Sequence, residues 1–453
     1  MPVTDSRPDS RRQAAGTDLR GSVHFAKIGA RRIWESLWFV PAVYVLAALA
    51  LSVGLVHWDE ADPIHLTESI NSSSASAAMS ALGSGMLAFT GFVTSVILMV
   101  IQFGTAEFSP RFVAWINRDR TLRFALSTFS ATFLFALVST AQIGRGNANF
   151  VPTRTLIAAL LLTLMSIVMF LLLIDHTSNG LRVASVVQAV DSESRQVFDK
   201  VYPEGASDAA AAQDKARSLD GLTPVQTIRL NGVGQVVVAL DRTACANLAR
   251  KYDAVIQLVP AIGDHVPSGG TLLHAYGPRE LPERRLRQVV ALGDERTLDD
   301  DPAFAIRMLV DVAIKALSPA INDPTTAVQS LDRIDDLLRY AAPKHLSTGT
   351  VTDSTGVIRL VYPAPTWEDL VELALDEIRA FGAGQYQVAR RLRALLDDLI
   401  ADVPEKRRPA LRQQATLLDD AVSSAIPQNQ RADALVADRQ GIGMSHHPAI
   451  DVH

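Results

Sequence analysis

Four uninterrupted apolar runs dominate the first part of the chain, at residues 37–56, 77–103, 124–143 and 155–174, and none of them contains Asp, Glu, Lys, Arg or His. About 20 residues of helix cross the hydrocarbon core of a bilayer, whereas a soluble helix of that length carries a polar stripe. The pattern therefore predicts four transmembrane helices. Trp34, Trp38 and Trp58 fall at the ends of the first run, where interfacial aromatics belong.

Beyond the fourth run the pattern changes. Val183, Val186, Val187, Val190, Val197 and Phe198 recur at three- and four-residue steps, which predicts an amphipathic helix leaving the membrane. Asn179 and Gly180 mark a break before it, so the connection is short and stiff. The valine stripe must bury against neighbouring copies or against the helix expected at 302–317. Residues 203–222, alanine-rich with mixed charge, read as an exposed linker. The stretch TIRLNGVGQVVVALD (227–241) reads as a β-hairpin around Asn231, Gly232 and Gly234. A short helix capped by Asp241 follows over 241–252, then a strand over 254–259 and the turn sequence AIGDHVPSGGTLLHAYG (261–277).

From 302 onward helices prevail, with one β interruption near 356–362. Residues 302–317 are apolar nearly all round; Arg307, Asp311 and Lys315 share an arc of about 80° at about 100° per residue. Asp301-Pro302 and Asp323-Pro324 each place an N-cap before a proline suited to the first helical turn. Further helices are expected at 367–380, 385–399 and 405–425. The fold class expected is an α-helical integral membrane protein with four transmembrane helices followed by a cytoplasmic α+β domain. Its divisions are an N-terminal segment at 1–32, partly disordered, the membrane domain at 33–176, the soluble domain at 177–426 and a disordered tail at 427–453.

Charge sets the orientation. Arg20, Lys27, Arg31 and Arg32 precede the first run, and Arg111, Arg118, Arg120 and Arg123 separate the second from the third. Residues 57–76 hold no Lys or Arg, and 144–154 hold only Arg145 and Arg154. The positive-inside rule puts both termini in the cytoplasm and the chain in an inner membrane. The leading segment lacks the apolar core of a cleavable signal. In 453 residues, 48% hydrophobic with a mean hydropathy of +0.16, the net charge of -5 gives no reason to expect nucleic acid. The single Cys245 excludes an internal disulfide.

Three stretches together resemble a bacterial family of predicted membrane proteins, domain of unknown function 2254. They are Phe103 with Phe108-Ser109-Pro110-Arg111, the GDHVPSGG turn, and ALSPAINDPTTA at 316–327. The resemblance covers about residues 33–425. It implies the membrane architecture and carries no activity with it.

The GDHVPSGG turn also resembles half of a biotinyl or lipoyl carrier hairpin. Such a carrier attaches its cofactor to a lysine, and His274-Ala275-Tyr276-Gly277-Pro278-Arg279 offers none, so no cofactor is expected. The stretch then reads as a structural β-hairpin whose glycines serve positive-φ turns. Ser318, Asn322, Asp323, Thr325 and Thr326 gather five oxygen-bearing side chains within nine residues, beside the Arg307 and Asp311 seam. They form a candidate ligand turn for phosphate, a divalent ion or a hydrolytic water. Helix capping accounts for the same residues. No nucleotide, zinc, redox or nucleophile motif lies near them, so no catalytic, cofactor or metal residue is assigned.

In the second run Ala81, Ser84, Gly85, Ala88, Gly91, Ser95 and Gln102 fall within an arc of about 120° at about 100° per residue. Such a face permits close helix packing, or lines a pore in a ring of subunits. The third run adds Ser127, Thr128, Ser130, Thr132, Ser139, Thr140 and Gln142, which could meet that face or a lumen. The loop with His57, Asp59, Glu60, Asp62, His65 and Glu68 has the charge of a cation vestibule but matches no dedicated metal site. The function expected first is a homo-oligomeric conduit for ions or small solutes, regulated by its cytoplasmic domain, with the lipid bilayer as its surroundings. The alternative is a membrane-anchored sensor or scaffold whose cytoplasmic domain binds a partner or small ligand. A membrane-bound hydrolase acting through Asn322 and Asp323 is the weaker alternative.

Overall fold

The computed structural model describes residues 39–62, 72–107, 120–143, 151–180, 183–202, 221–346 and 349–444. The expectations placed on 1–32, on the 203–220 linker, on Phe108 to Arg111 and on His65 and Glu68 lie outside them. Two compact units emerge, one within Ala26–Arg182 and one from Val183 onward.

The first unit holds α1 (Phe39–Ala61), α2 (Ser72–Glu107), α3 (Arg120–Ile143) and α4 (Thr153–Gly180). All four are long and apolar enough to cross a membrane. Half of the apolar stretch of α3 is buried against 17% in each of the others, which makes α3 the central helix, packed on α1, α2 and α4. Its small and hydroxylic residues explain that position, because Ala125, Ser127, Ala131, Thr132, Ala136 and Ser139 let neighbouring backbones approach. Phe129 packs edge-on against Phe89 of α2 at 5.1 Å, and Phe89 against Phe170 of α4 at 4.9 Å. Ser139 Oγ lies 2.9 Å from Ser52 Oγ of α1, and Thr132 Oγ1 lies 2.9 Å from Ser166 Oγ of α4. These hydroxyls of the third run therefore tie α3 to α1 and α4 instead of meeting the small-residue face of α2. The outward surface is apolar, with Leu46, Phe92, Leu160 and Leu171 each at least 60% exposed.

The second unit opens with α5 (Val183–Val201), whose Val187, Val190, Val197 and Phe198 are buried. Of the two destinations expected for this stripe, it takes the second, α8 (Pro302–Ala316), together with α9 (Pro324–Ala341). Asn179 and Gly180 continue α4, so any break before α5 falls at residues 181–182, outside the described residues.

The sheet pairing departs from the sequence reading. A five-stranded sheet runs β1-β5-β3-β8-β7 and a three-stranded sheet runs β4-β2-β6. The strands are β1 (Gln226–Arg229), β2 (Gln235–Leu240), β3 (Val255–Leu258), β4 (His265–Val266), β5 (Thr271–Tyr276), β6 (Val290–Gly293), β7 (Thr350–Thr352) and β8 (Ile358–Val361). Hence 227–241 is no hairpin, since β1 pairs with β5 while β2 pairs with β4 and β6. The GDHVPSGG turn does lie between antiparallel neighbours, β3 and β5, while the two residues of β4 within it join the other sheet beside β2. The reason is burial: β2 is buried at four consecutive residues and needs cover on both faces, whereas β1 buries only Ile228. Gly263 and Gly269 hold φ +94 and +76, as turn positions should. The helix α6 (Arg242–Lys251), capped by Asp241 through Ala244 N–H at 2.8 Å, closes the core of both sheets with Cys245 and Ala249.

After the short α7 (Glu283–Gln288), the helical half comprises α8, α9, α10 (Trp367–Gly382), α11 (Tyr386–Asp402) and α12 (Arg408–Ala425). Asp301 caps α8 through Phe304 N–H at 2.9 Å, and Asp323 caps α9 through Thr326 N–H at 3.1 Å. The tail expected to be disordered from 427 is ordered as far as 444, with a short α13 (Arg431–Ala434). Its order comes from polar bonds. Arg390 donates to the carbonyls of Asp433 and Gly443, and the Asp438 carboxylate accepts the N–H groups of Gln440, Gly441, Gly443 and Met444.

Candidate functional site

Within the turn joining α8 to α9, Ser318, Asp323 and Thr326 of the candidate ligand cluster bond within the turn and its helix ends, and Asn322 ties the turn to Gln385. Asn322 adopts φ +50, which Asn tolerates better than other non-glycine residues, and its carbonyl oxygen Oδ1 accepts from Gln385 Nε2 at 3.0 Å. Ser318 Oγ donates to Lys315 O at 2.7 Å, and Thr326 Oγ1 donates to Asp323 Oδ2 at 2.5 Å. Thr325 stays exposed. Arg307 is held by Asp311 at 2.6 Å and by a two-point contact with Glu377 of α10. The seam is an ion-paired interface between α8 and α10.

On α2 the seven small-face residues, Ala81, Ser84, Gly85, Ala88, Gly91, Ser95 and Gln102, are all exposed on the four-helix unit. Ser84 Oγ donates to Ala81 O at 3.1 Å and Ser95 Oγ to Gly91 O at 3.0 Å, so these hydroxyls are satisfied by their own helix. A Cβ added to Gly85 or Gly91 would meet nothing within 4 Å.

The acidic end of α1 is consumed by α4. Asp59, 1% exposed, accepts from Arg154 N at 3.2 Å and from Thr155 N at 3.0 Å and Oγ1 at 2.9 Å. Arg154 adds a contact to Asp59 at 3.4 Å, one to Asp62 at 2.8 Å, and lies 4.9 Å above the Trp58 ring. Two carboxylates of the expected vestibule thus cap and clamp a helix start. Among the described residues no group of His, Cys, Asp and Glu could hold a metal ion.

A different cluster stands out in the second unit, where the helical half meets the sheets. Tyr202 follows the last turn of α5 and is 1% exposed. Arg242 opens α6, Tyr362 follows β8, and Asp300 and Asp301 precede α8. Trp367 opens α10, and Arg407 closes the 3-10 turn before α12. Element ends converge here, so their side chains project into one region. Lys200 Nζ sits 2.7 Å from Asp300 Oδ1, and Arg296 Nη2 sits 2.6 Å from Asp301 Oδ2. The two other guanidinium groups lie on aromatic rings, Arg242 at 5.2 Å from Tyr362 and Arg407 at 5.4 Å from Trp367. Trp367 Nε1 donates to the Arg407 carbonyl at 2.9 Å, which fixes that backbone.

Four polar atoms of this cluster are buried without a hydrogen-bond partner: the donors Tyr202 Oη, Arg242 Nε and Arg407 Nε, and the acceptor Asp300 Oδ1, which is ion-paired with Lys200 at 2.7 Å. Each such orphan costs about 1–3 kcal/mol, and native proteins keep few of them. Burial pushes the Tyr202 hydroxyl far above its ordinary range, with Tyr362 and Asp301 acting in the same direction and Arg242 and Arg407 against it. Burial likewise lowers Arg407, against the pull of Glu368 and Tyr202. The groups therefore share one field. No local motif announces them, because they are drawn from positions 200 to 407 and meet only through the fold.

Elsewhere, the GDHVPSGG turn borders an open cleft of about 250 Å³ lined by residues including Asp264, His265, Pro267 and Thr271.

The family described as "Predicted membrane protein (DUF2254)" matches residues 34–398, a range that includes Tyr202, Arg242 and Tyr362 and stops short of Arg407. Uncharacterised proteins of Mycobacterium bovis and Mycobacterium tuberculosis are 27% identical to the chain over 344 residues. That alignment covers 74% of this chain, and the chain spans 65% of the length of those relatives. No solved structure matches the chain.

Proposed function

This chain belongs to the DUF2254 family of predicted membrane proteins, and on that premise we propose that it is a membrane-anchored sensor. Its four apolar helices lie in the inner membrane with both termini cytoplasmic. The unit from Val183 onward binds a small ligand at the Tyr202, Arg242 and Arg407 cluster. The observation that carries this reading is the set of three orphaned donors, Tyr202 Oη, Arg242 Nε and Arg407 Nε, which a purely structural cluster would have paired. The outward apolar surface of the four-helix unit supports the anchor.

Binding residues are kept at the expense of stability, and that supplies a test needing no ligand. Arg407→Met keeps the length of the side chain, removes a buried N–H without a partner and gives up one long bond, from Nη2 to Lys344 O at 3.3 Å. It also replaces the guanidinium 5.4 Å from the Trp367 ring by a thioether that can pack on the same ring. The variant is expected to match or exceed wild-type stability by up to about 1 kcal/mol in urea or thermal unfolding of the detergent-solubilised protein. A loss of more than about 1.5 kcal/mol would mark the cluster as structural and remove the sensor reading.

A regulated conduit is the second reading, favoured by the exposed small face of α2. Copies of α2 packed through Gly85 and Gly91 would place the Ser84 and Ser95 positions along a shared seam. Because a side chain at Gly85 meets nothing in its own chain, Gly85→Leu should leave the fold intact and act only between copies. The expected result is a smaller assembly in detergent and a several-fold lower ion flux after reconstitution into liposomes. Unchanged size and flux would set this reading aside. The Asn322 and Asp323 turn, its oxygens already bonded, gives no support to a hydrolase.

A further inference from the structure

The geometry points to a phosphate-bearing anion as the ligand of the Tyr202, Arg242 and Arg407 cluster, an inference that rests on the ligand-site reading above. Charge comes first. The two buried carboxylates are already matched, Asp300 by Lys200 at 2.7 Å and Asp301 by Arg296 at 2.6 Å. Arg242 comes no nearer to a carboxylate than 3.9 Å, and the Arg407 side chain has its one described hydrogen bond to the carbonyl of Lys344. Two cations thus lie on aromatic rings with only distant carboxylates, Asp300 at 3.9 Å from Arg242 and Glu368 acting on Arg407 through space, and a cationic ligand would be repelled.

Hydrogen bonding comes second. Both guanidinium groups keep Nε unpaired, and Nε with a neighbouring Nη forms the edge that grips two oxygens of one oxyanion. The Tyr202 hydroxyl supplies a third donor from a third element. A carboxylate offers two oxygens and one charge. A terminal phosphoryl group offers three oxygens and about -1.5 to -2 charge near pH 7, which suits three donors and two cations whose nearest carboxylates are distant. The rings of Tyr362 and Trp367 hold the guanidinium planes, so little side-chain freedom is lost on binding.

The phosphoryl group could belong to a free anion or to a lipid headgroup, and thermal unfolding of the full-length chain in neutral detergent separates the two. Wild type is expected to unfold about 5 °C higher in millimolar pyrophosphate, and to show no such rise in malonate or in sodium chloride of the same ionic strength. The rise should disappear in both Arg242→Met and Arg407→Met and persist in Arg439→Met, whose guanidinium pairs with Asp398 on the surface. Short-chain phosphatidic acid, a phosphomonoester with three free oxygens, forms the second arm. A shift there alone, lost in the same two variants, assigns the phosphate to a lipid, and a shift with pyrophosphate alone assigns it to a soluble anion. The proposal is overturned if malonate stabilises as much as either phosphate source, if the shift survives in both variants, or if neither source shifts wild type. In that last case an undiminished stability of Arg407→Met would leave the ligand site standing and reject only the phosphate.

Discussion

Asp59→Ala is expected to destabilise the four-helix unit by about 2–4 kcal/mol, read as the midpoint of unfolding in a denaturing detergent titration. Asp59 is 1% exposed and receives two backbone N–H groups and a hydroxyl from the first residues of α4. Alanine removes the cap of that helix and orphans Thr155 Oγ1 in a buried place. Arg154 keeps part of its environment, since Asp62 at 2.8 Å and the Trp58 ring at 4.9 Å remain. That compensation holds the loss below the value for a fully isolated charge. Glu60 is exposed beside it and serves as the control, with Glu60→Ala expected within about 0.5 kcal/mol of wild type. The pair decides what the acidic end of α1 does. In a cation vestibule both substitutions would lower flux and neither would move stability. In the clamp described above only Asp59 matters, and it matters through folding.

The same residue shows where reading from sequence succeeds and where it stops. Asp241, Asp301 and Asp323 were legible as caps because the carboxylate and the N–H it accepts lie three residues apart. Asp59 caps α4 across 96 residues, so its acidity registered only as loop charge. The four apolar helices were legible for a similar reason, because a long run without charge is a local property. Strand pairing is not local. The runs around Gly232 look like a hairpin in sequence, yet β1 finds β5 and β2 finds β4 and β6. The ordered tail was missed because composition registers apolar burial, and Arg390 and Asp438 hold it by bonds to backbone. The Tyr202 cluster was missed on both counts. Its members stand at the ends of separate elements, and what distinguishes them is a lack of partners.

Arg391→Met should cost about 3–5 kcal/mol in the second unit, among the largest effects available to a single substitution. Arg391 of α11 is nearly buried and bridges two carboxylates of α9, Asp332 at 2.6 Å and Asp335 at 3.0 Å. Asp335 also accepts from Arg339 at 2.8 Å, and Arg339 reaches back to Asp402 of α11. Burial pushes the Asp335 carboxyl above the usual carboxylate range even with both arginines beside it. Without Arg391 it would rise further, so the folded variant would hold a proton there that its unfolded chain releases at lower pH. A carboxyl raised in the folded state gives its full stabilisation below its unfolded value near 3.8, and loses it as pH climbs through the folded value. The deficit of Arg391→Met against wild type should therefore widen as pH rises above the unfolded value near 3.8, and level off once pH has passed the folded value of the variant. Asp335→Asn added to Arg391→Met removes the titrating group, and the widening should vanish even if some of the loss remains. A deficit that stays constant across that range would mean that Arg391 acts by packing its aliphatic stem between α9 and α11, and that the ion pairs add nothing measurable.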